Sequence, residues 1–269
     1  MNTISTGPAP ASQLSASEGA LLTRLARYGK AHLFPTVTST NDVAKKLATE
    51  GLPALVAAEI QTRGRGRFSR EWLSPAGGLW FSMLLFPDMA AERIGLITLV
   101  AGLAVAQAVE ERAGLKPDLL WPNDVLVGTK KVCGILCEGK GKAVIVGIGL
   151  NLNQTSFPPE LPDATSLFLL TGANSDRFEM MLAICDGFYH RLDELKAVST
   201  LPLIGELKSR MSMLGRPVTI ETSWVGLGSL APRRVPGTAL DLNENGELLV
   251  RTPDGATRTF NAGKVTRVR

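Results

Sequence analysis

Histidine and cysteine are scarce in this chain: two histidines, His32 and His190, and three cysteines, Cys133, Cys137 and Cys185, among 269 residues. With so few imidazoles, a Ser-His-Asp hydrolase has little to draw on, and His190, on an expected helix, reads as a surface group. An odd number of cysteines without CxxC spacing argues against a disulfide framework or a zinc site, favours a reducing compartment, and leaves the thiols a core role. The first 18 residues lack the basic start and continuous apolar core of a signal peptide. The longest apolar stretch, Ile94 to Val109, contains Thr98 and Gln107 and is shorter than a bilayer span, so it reads as a buried helix. No internal repeat or heptad pattern is present. Together these absences point to a cytoplasmic protein with no membrane partner.

Charge of one sign is also missing as a global feature. A sequence pI of about 9.1 invites anionic partners, yet a net charge of +4 over this length is small for an obligate nucleic-acid binder. The basicity is local. Arg63, Arg65, Arg67 and Arg70 crowd one stretch, QTRGRGRFSREW from Gln61 to Trp72, with glycines between them and no acid before Glu71.

With 45% hydrophobic residues, the chain can bury a substantial core as one large domain or a large one plus a small one. Leu21, Leu22, Leu25 and Ala26 have helical spacing, with Gly29 as a stop, so residues 1–30 read as a leader and a short helix. Ser39 reads as an N-cap with Asp42 three residues on, and Gly51 ends that helix. ALVAAEI and LWFSMLLF read as buried strands. Glu92 to Ala113 is expected as one long helix closed by Gly114. DLLW, DVLV, VCGILCE and AVIVGIGLNL follow as strands, with turns at 128–131 and 139–142. Helices are expected near Arg177 to Ala197 and Leu201 to Leu214. After Gly215, short strand-like runs separated by NENG and PDG turns suggest a small antiparallel barrel. The expected organisation is therefore a domain over 31–214 and a smaller one over 215–269.

Glycine lets backbone amides approach a ligand, and arginine makes forked, charge-assisted hydrogen bonds to phosphate or carboxylate. An isolated RGRGR stretch would read as an RNA-contacting loop. Here, however, STN at Ser39 to Asn41, the arginine stretch, WPND at Trp121 to Asp124, KKVCGIL from Lys130 and GIGLN at Gly147 to Asn151 occur in that order. This series resembles the biotin protein ligases from about Phe34 to the C-terminus. The resemblance implies an α+β fold, a mixed sheet flanked by helices and related to class II aminoacyl-tRNA synthetases, with a small SH3-like C-terminal barrel. Repressor members of that family carry a winged helix-turn-helix ahead of STN. Only 38 residues precede Ser39, so the expectation is a ligase without DNA binding, acting as a monomer or homodimer.

The resemblance also implies the chemistry. Such ligases activate the biotin carboxylate on ATP with Mg2+, form biotinyl-5'-AMP, and pass biotin to a lysine of a biotin carboxyl carrier domain. Lys131, Arg65 and Arg67 match the residues that engage carboxylate and phosphate, with Lys130 as a competing register. Ser39, Thr40, Asn41, Gln61, Gly66 and Gly134 match the biotin pocket. Gly64, Arg70, Trp121, Asn123, Gly149 and Asn151 match the nucleotide end, and Asp124 is the expected magnesium ligand, with a structural turn as the rival reading of Asn123 and Asp124. Gly147 joins the glycines that admit a ligand. Trp72 reads as a core anchor at the start of a strand.

Three positions depart from the family pattern: Arg63 replaces Ala, Ser69 replaces Gly, and Leu120 replaces the lysine before WPND. Arg63 is the candidate to supply the missing charge. A lipoate or octanoate ligase of the same fold, and more remotely a non-enzymatic RNA-binding protein, are the rival readings. Binding of labelled biotin against lipoate separates the first; steep salt dependence without pyrophosphate release would mark the second.

Overall fold

The computed structural model describes residues 23–89, 91–195, 199–222 and 233–267. The leader, including Leu21 and Leu22, and the expected helix end at Ala197 lie outside the described residues. Thr23 to Leu25 are helical and run into a 3-10 turn at Ala26–Tyr28, ended at Gly29 as the sequence suggests.

The apolar runs assemble into a seven-stranded sheet in the order β1-β2-β3-β7-β6-β5-β4. Its strands are β1 (Lys30–Val37), β2 (Ala54–Gln61), β3 (Leu79–Leu85), β4 (Pro117–Leu120), β5 (Asp124–Val127), β6 (Lys130–Lys140) and β7 (Ala143–Leu150). The β1/β2 pair is parallel and every other pair is antiparallel, which makes the sheet mixed. Strand β1 has no counterpart among the sequence expectations. Its run KAHLFPTV contains Pro35, tolerated because β1 is an edge strand and Pro need not donate into a second ladder.

Two helical layers cover the sheet. On one face lies α1 (Thr40–Leu47), which crosses from β1 to β2 and seats Ala44 against Phe34, Val56, Ala58, Leu84 and Ile145. On the other face, the expected helix from Glu92 is interrupted at Gly95, giving a four-residue α2 (Ala91–Ile94) and the long α3 (Leu96–Ala113). Apart from proline, glycine holds a helix least well, because it has most backbone freedom to lose. Helix α3 is apolar nearly all round, since it is enclosed between the sheet and α5 (Arg177–Glu194). A short α4 (Leu167–Thr171), not foreseen, is capped by Ser166. Helix α6 (Leu201–Ser209) leads to the second sheet.

That sheet corrects the barrel expectation. Its strands, β8 (Pro217–Thr222), β9 (Arg233–Leu242), β10 (Leu248–Arg251), β11 (Thr257–Phe260) and β12 (Lys264–Arg267), run in the order β11-β10-β9-β8-β12. Among the described residues β11 and β12 do not pair, so the sheet is open. The cause is local: residues 261–263 do not fold β12 back on β11 but carry the chain to the far edge beside β8, with Gly263 at φ 153°. Val218, Ile220, Leu248 and Val265 join the same hydrophobic cluster as α3.

Candidate active site

Gly134 on β6 lies opposite Gly149 on β7, and Leu136 opposite Gly147. The period of two puts these residues on the α1 face of the sheet, where missing side chains leave a floor. A Cβ at Gly147 would lie 2.3 Å from Asn41 Oδ1, one at Gly149 2.4 Å from Trp72 Nε1, and one at Gly134 3.0 Å from the Trp72 ring. The groups that approach these backbones are thus side chains of the chain itself. Trp72 is neither in a strand nor in the core. It lies half-buried across the glycines, with the Lys131 ammonium 5.1 Å from its ring centroid.

Beside this floor runs a row of polar side chains. Gln61 Oε1 accepts from the Thr40 amide (2.8 Å) and hydroxyl (3.1 Å), and Gln61 Nε2 donates to Ser74 Oγ (2.9 Å). Asn41 Nδ2 donates to Leu136 O (3.2 Å) and Glu138 Oε2 (2.7 Å). Beneath them, Ser82 Oγ donates to Asn41 Oδ1 at 2.6 Å and stands 2.7 Å from Thr40 Oγ1. Ser82 is fully buried and was not singled out in the sequence. The signal was present as a lone hydroxyl in the apolar strand LWFSMLLF. Ser82→Ala leaves a buried Asn41 oxygen without its donor, for which about 1–3 kcal/mol of stability should be lost, read by chemical denaturation. Biotin binding should weaken with it, and unchanged biotin affinity would show that the hydroxyl does not support this row.

Ser39 is the N-cap of α1 and is buried, but its side chain makes no capping bond. Asp42, three residues on, does not reach back to the N-cap, because its carboxylate turns to Arg65: Nη1 to Oδ2 is 2.8 Å and Nη2 to Oδ1 2.5 Å. This bidentate pair holds the Asp42 carboxyl below the usual carboxylate range. Arg65 sits on the loop that leaves β2. The loop is laced by Arg63 N to Thr38 O (2.8 Å), Trp72 N to Gly64 O (2.9 Å) and Gly66 N to Arg70 O (2.8 Å). Gly64 is required at the crossing, since a Cβ there would meet Trp72 O at 2.3 Å. Phe68 and Ser69 both have left-handed backbones, φ 58° and 56°, a conformation disfavoured outside glycine.

At its far reach the loop carries Arg67 to the WPND corner. Arg67 Nη1 donates to Asn123 Oδ1 (3.2 Å) and to Gly263 O (3.0 Å) in the second sheet, and burial lowers its pKa. Arg63, by contrast, is tied beside β1, while Leu120 ends β4 at the opposite edge. Six inter-strand steps of about 4.8 Å separate those edges. Arg63 therefore does not replace the family lysine at Leu120; Arg67 is the loop cation that reaches that corner. Arg70 is exposed at the loop tip.

Lys131 faces the floor and pairs with Asp124 (2.7 Å), whereas Lys130 is turned outward to Pro162 O. Lys131 is fixed in the backbone by Asp163 and Thr165, which pair with its N–H (2.7 Å) and C=O (3.0 Å). Asn123 Nδ2 donates to Ile135 O (3.1 Å), bracing the corner. Two expected nucleotide residues are committed inside the protein: Trp121, 2% exposed, donates to Gly246 O (3.0 Å), and Asn151, 3% exposed, to Thr165 O (2.9 Å). Next to Arg67 a cleft of about 700 Å³ opens between the loop, Thr98, Pro122, Cys137 and the turns at Asn245 and Asn261. Burial pushes the Cys137 thiol up to about 11, which keeps it protonated. His190 is on the surface as expected, 75% exposed at its side chain. No helix of the described residues is long and apolar enough to cross a membrane.

Asp124 was the expected magnesium ligand. Its Oδ1 lies 2.7 Å from the Lys131 ammonium, and among the described residues no three His, Cys, Asp or Glu side chains cluster. The donor set does not fit a cation held by the protein alone.

Comparison with known proteins agrees with this geometry. Residues 33–153 match the model of the Biotin/lipoate A/B protein ligase family, and residues 233–267 that of the Biotin protein ligase C terminal domain. The chain is 32% identical over 230 residues to the Paracoccus denitrificans biotin--[acetyl-CoA-carboxylase] ligase, covering 81% of this chain and 92% of that one. To the bifunctional ligase/repressor BirA of Bacillus subtilis it is 36% identical over 242 residues, covering 84% and 70%. The Aquifex aeolicus biotin protein ligase, solved in complex with biotin and ATP, superposes with a TM-score of 0.77 at 34% identity, covering 90% of this chain and 100% of that one. With its mixed sheet, its glycine floor and its arginine loop, this chain belongs to the biotin protein ligase family.

Proposed function

We propose that the protein is an ATP-dependent, AMP-forming biotin ligase. It joins the biotin carboxylate to AMP with loss of pyrophosphate, then transfers the biotinyl group to a lysine amine of a biotin carrier protein with loss of AMP. The observation that carries this reading is that Lys131 lies against the floor at Gly134, while the loop from β2 holds Arg65 at Asp42 on α1 and Arg67 at Asn123, next to the Lys131 partner Asp124. Bringing a carboxylate against a polyphosphate requires that repulsion be offset and the line of attack held. Arg67 is suited to phosphate, since both its acceptors are neutral. Lys131 can exchange Asp124 for a phosphoryl oxygen as negative charge grows there. The polar row of Thr40, Asn41 and Gln61 suits a neutral ureido ring with donors and acceptors, and the loop over it keeps water from the mixed anhydride. The test is pyrophosphate release by the full chain with ATP and biotin, run beside ATP and lipoate; release with lipoate alone would overturn the reading.

The unit from residue 215 onward serves as a wall of this site. It supplies Gly263 O to Arg67 and Gly246 O to Trp121. A chain ending at Leu214 should lose biotin transfer to a carrier domain by at least about tenfold, as expected when one charge-assisted contact is lost. Full-rate transfer by that chain would show the second sheet to be dispensable.

A further inference from the structure

Asp42 occupies the first turn of α1, where an acid ordinarily serves the free amides and positive end of its own helix. Here it grips both terminal nitrogens of Arg65 instead. Glu138 stands behind the same guanidinium at 3.9 Å and is itself fixed by Lys45 (2.5 Å) and Asn41 (2.7 Å). An arginine on a loop is thus anchored to a helix and a strand. One edge of its fork is occupied. The Nε–H and the outward N–H of each terminal nitrogen are the donors left for a substrate.

The charges of this cluster cancel: Arg65 and Lys45 stand against Asp42 and Glu138. Arg65 therefore recognises a partner through directed hydrogen bonds more than through net field. Arg67, two residues on, has only neutral acceptors and retains its field. The two arginines are set up for different anions, one planar and needing alignment, the other carrying more charge. Resting on the ligase reading above, we propose that Asp42 is a positioning residue for biotin activation: it fixes Arg65 so that its remaining N–H groups meet the biotin carboxylate, leaving Arg67 and Lys131 to the phosphates. Between Gly64 and Gly66 an unanchored Arg65 would be ordered only on substrate arrival, and that ordering would be charged to biotin binding.

The experiment compares pyrophosphate release by the full chain, with biotin and ATP each varied, for wild type, Asp42→Asn, Asp42→Glu, Arg65→Gln and Asp42→Asn/Arg65→Gln, with thermal melts alongside. Asp42→Asn should raise KM for biotin roughly tenfold, the loss of one charge-assisted contact, while KM for ATP stays and kcat changes less. Asp42→Glu should recover much of the loss, and the double variant should be no worse than Arg65→Gln, since the two side chains act as one unit. An unchanged KM for biotin in Asp42→Asn, or a further tenfold rise when it is added to Arg65→Gln, overturns the proposal. So does a lower melting temperature with both KM values moved alike, which is what a plain helix acid would give. A wild-type chain releasing no pyrophosphate with biotin would instead bring down the ligase reading and this proposal with it.

Discussion

Lys131→Ala should slow adenylate formation roughly a hundredfold, which corresponds to about 3 kcal/mol of lost transition-state stabilisation. The reason is positional. Lys131 is the ammonium that faces the glycine floor, held from behind by Asp163 and Thr165, so it can follow charge developing at the α-phosphate without moving its backbone. The variant has a second effect, because Asp124 is left half-buried without its cation, and some stability should be lost as well. Asp124→Asn in the same chain separates the two. It should restore stability, as the uncompensated charge is gone, and leave adenylation slow. Pyrophosphate release measured beside a denaturation curve distinguishes these outcomes; near-normal release from Lys131→Ala would shift the role to Lys130, which the structure turns toward Pro162.

The other large effect is expected at Arg67. A mixed anhydride is useful only while it stays bound, and Arg67 ties the loop at once to Asn123 and to Gly263 of the second sheet. Arg67→Gly removes a charge-assisted contact of about 1.5–3 kcal/mol, which predicts roughly ten- to hundredfold faster escape of biotinyl-AMP. Adenylation persists through Lys131 and Arg65. The released anhydride should then acylate lysines indiscriminately. Mixing the variant with biotin, ATP and an unrelated lysine-rich protein, and probing for attached biotin, reads this directly. Bystander labelling no greater than with wild type, with carrier biotinylation intact, would place retention elsewhere in the loop.

The sequence announced those elements whose physics is local. Buried strands showed as apolar runs, α1 and α3 by their stops at Gly51 and Gly114, and the β6/β7 hairpin by its turn residues. Strand β1 escaped because an edge strand carrying Pro35 and alternating burial has a weak pattern, and its parallel partner lies across a helix. The open second sheet escaped because nothing in the residue types at 261–263 announces which edge the last strand will join. The same division holds at the site. Several motif residues lie side by side, Thr40 with Gln61, Arg67 with Asn123 and Lys131 with Asp124, while the side chains of Trp121 and Asn151 are buried. What stayed hidden were partnerships across the chain: Asp42 with Arg65, Ser82 with Asn41, and Arg67 with Gly263. Each joins residues whose types are individually ordinary.

The bond from Arg67 to Gly263 spans 196 positions of chain. On a ribosome adding about 5–20 residues per second, at least about ten seconds pass between the emergence of the arginine and that of its acceptor. During that interval the seven-stranded sheet can already be complete, since its last strand ends at Leu150. A nascent chain would then hold a finished floor and polar row under a loop not yet fastened at its far end. The pocket therefore precedes the safe retention of its intermediate, and a chain stalled between Leu150 and Gly263 would carry a pocket without its closure.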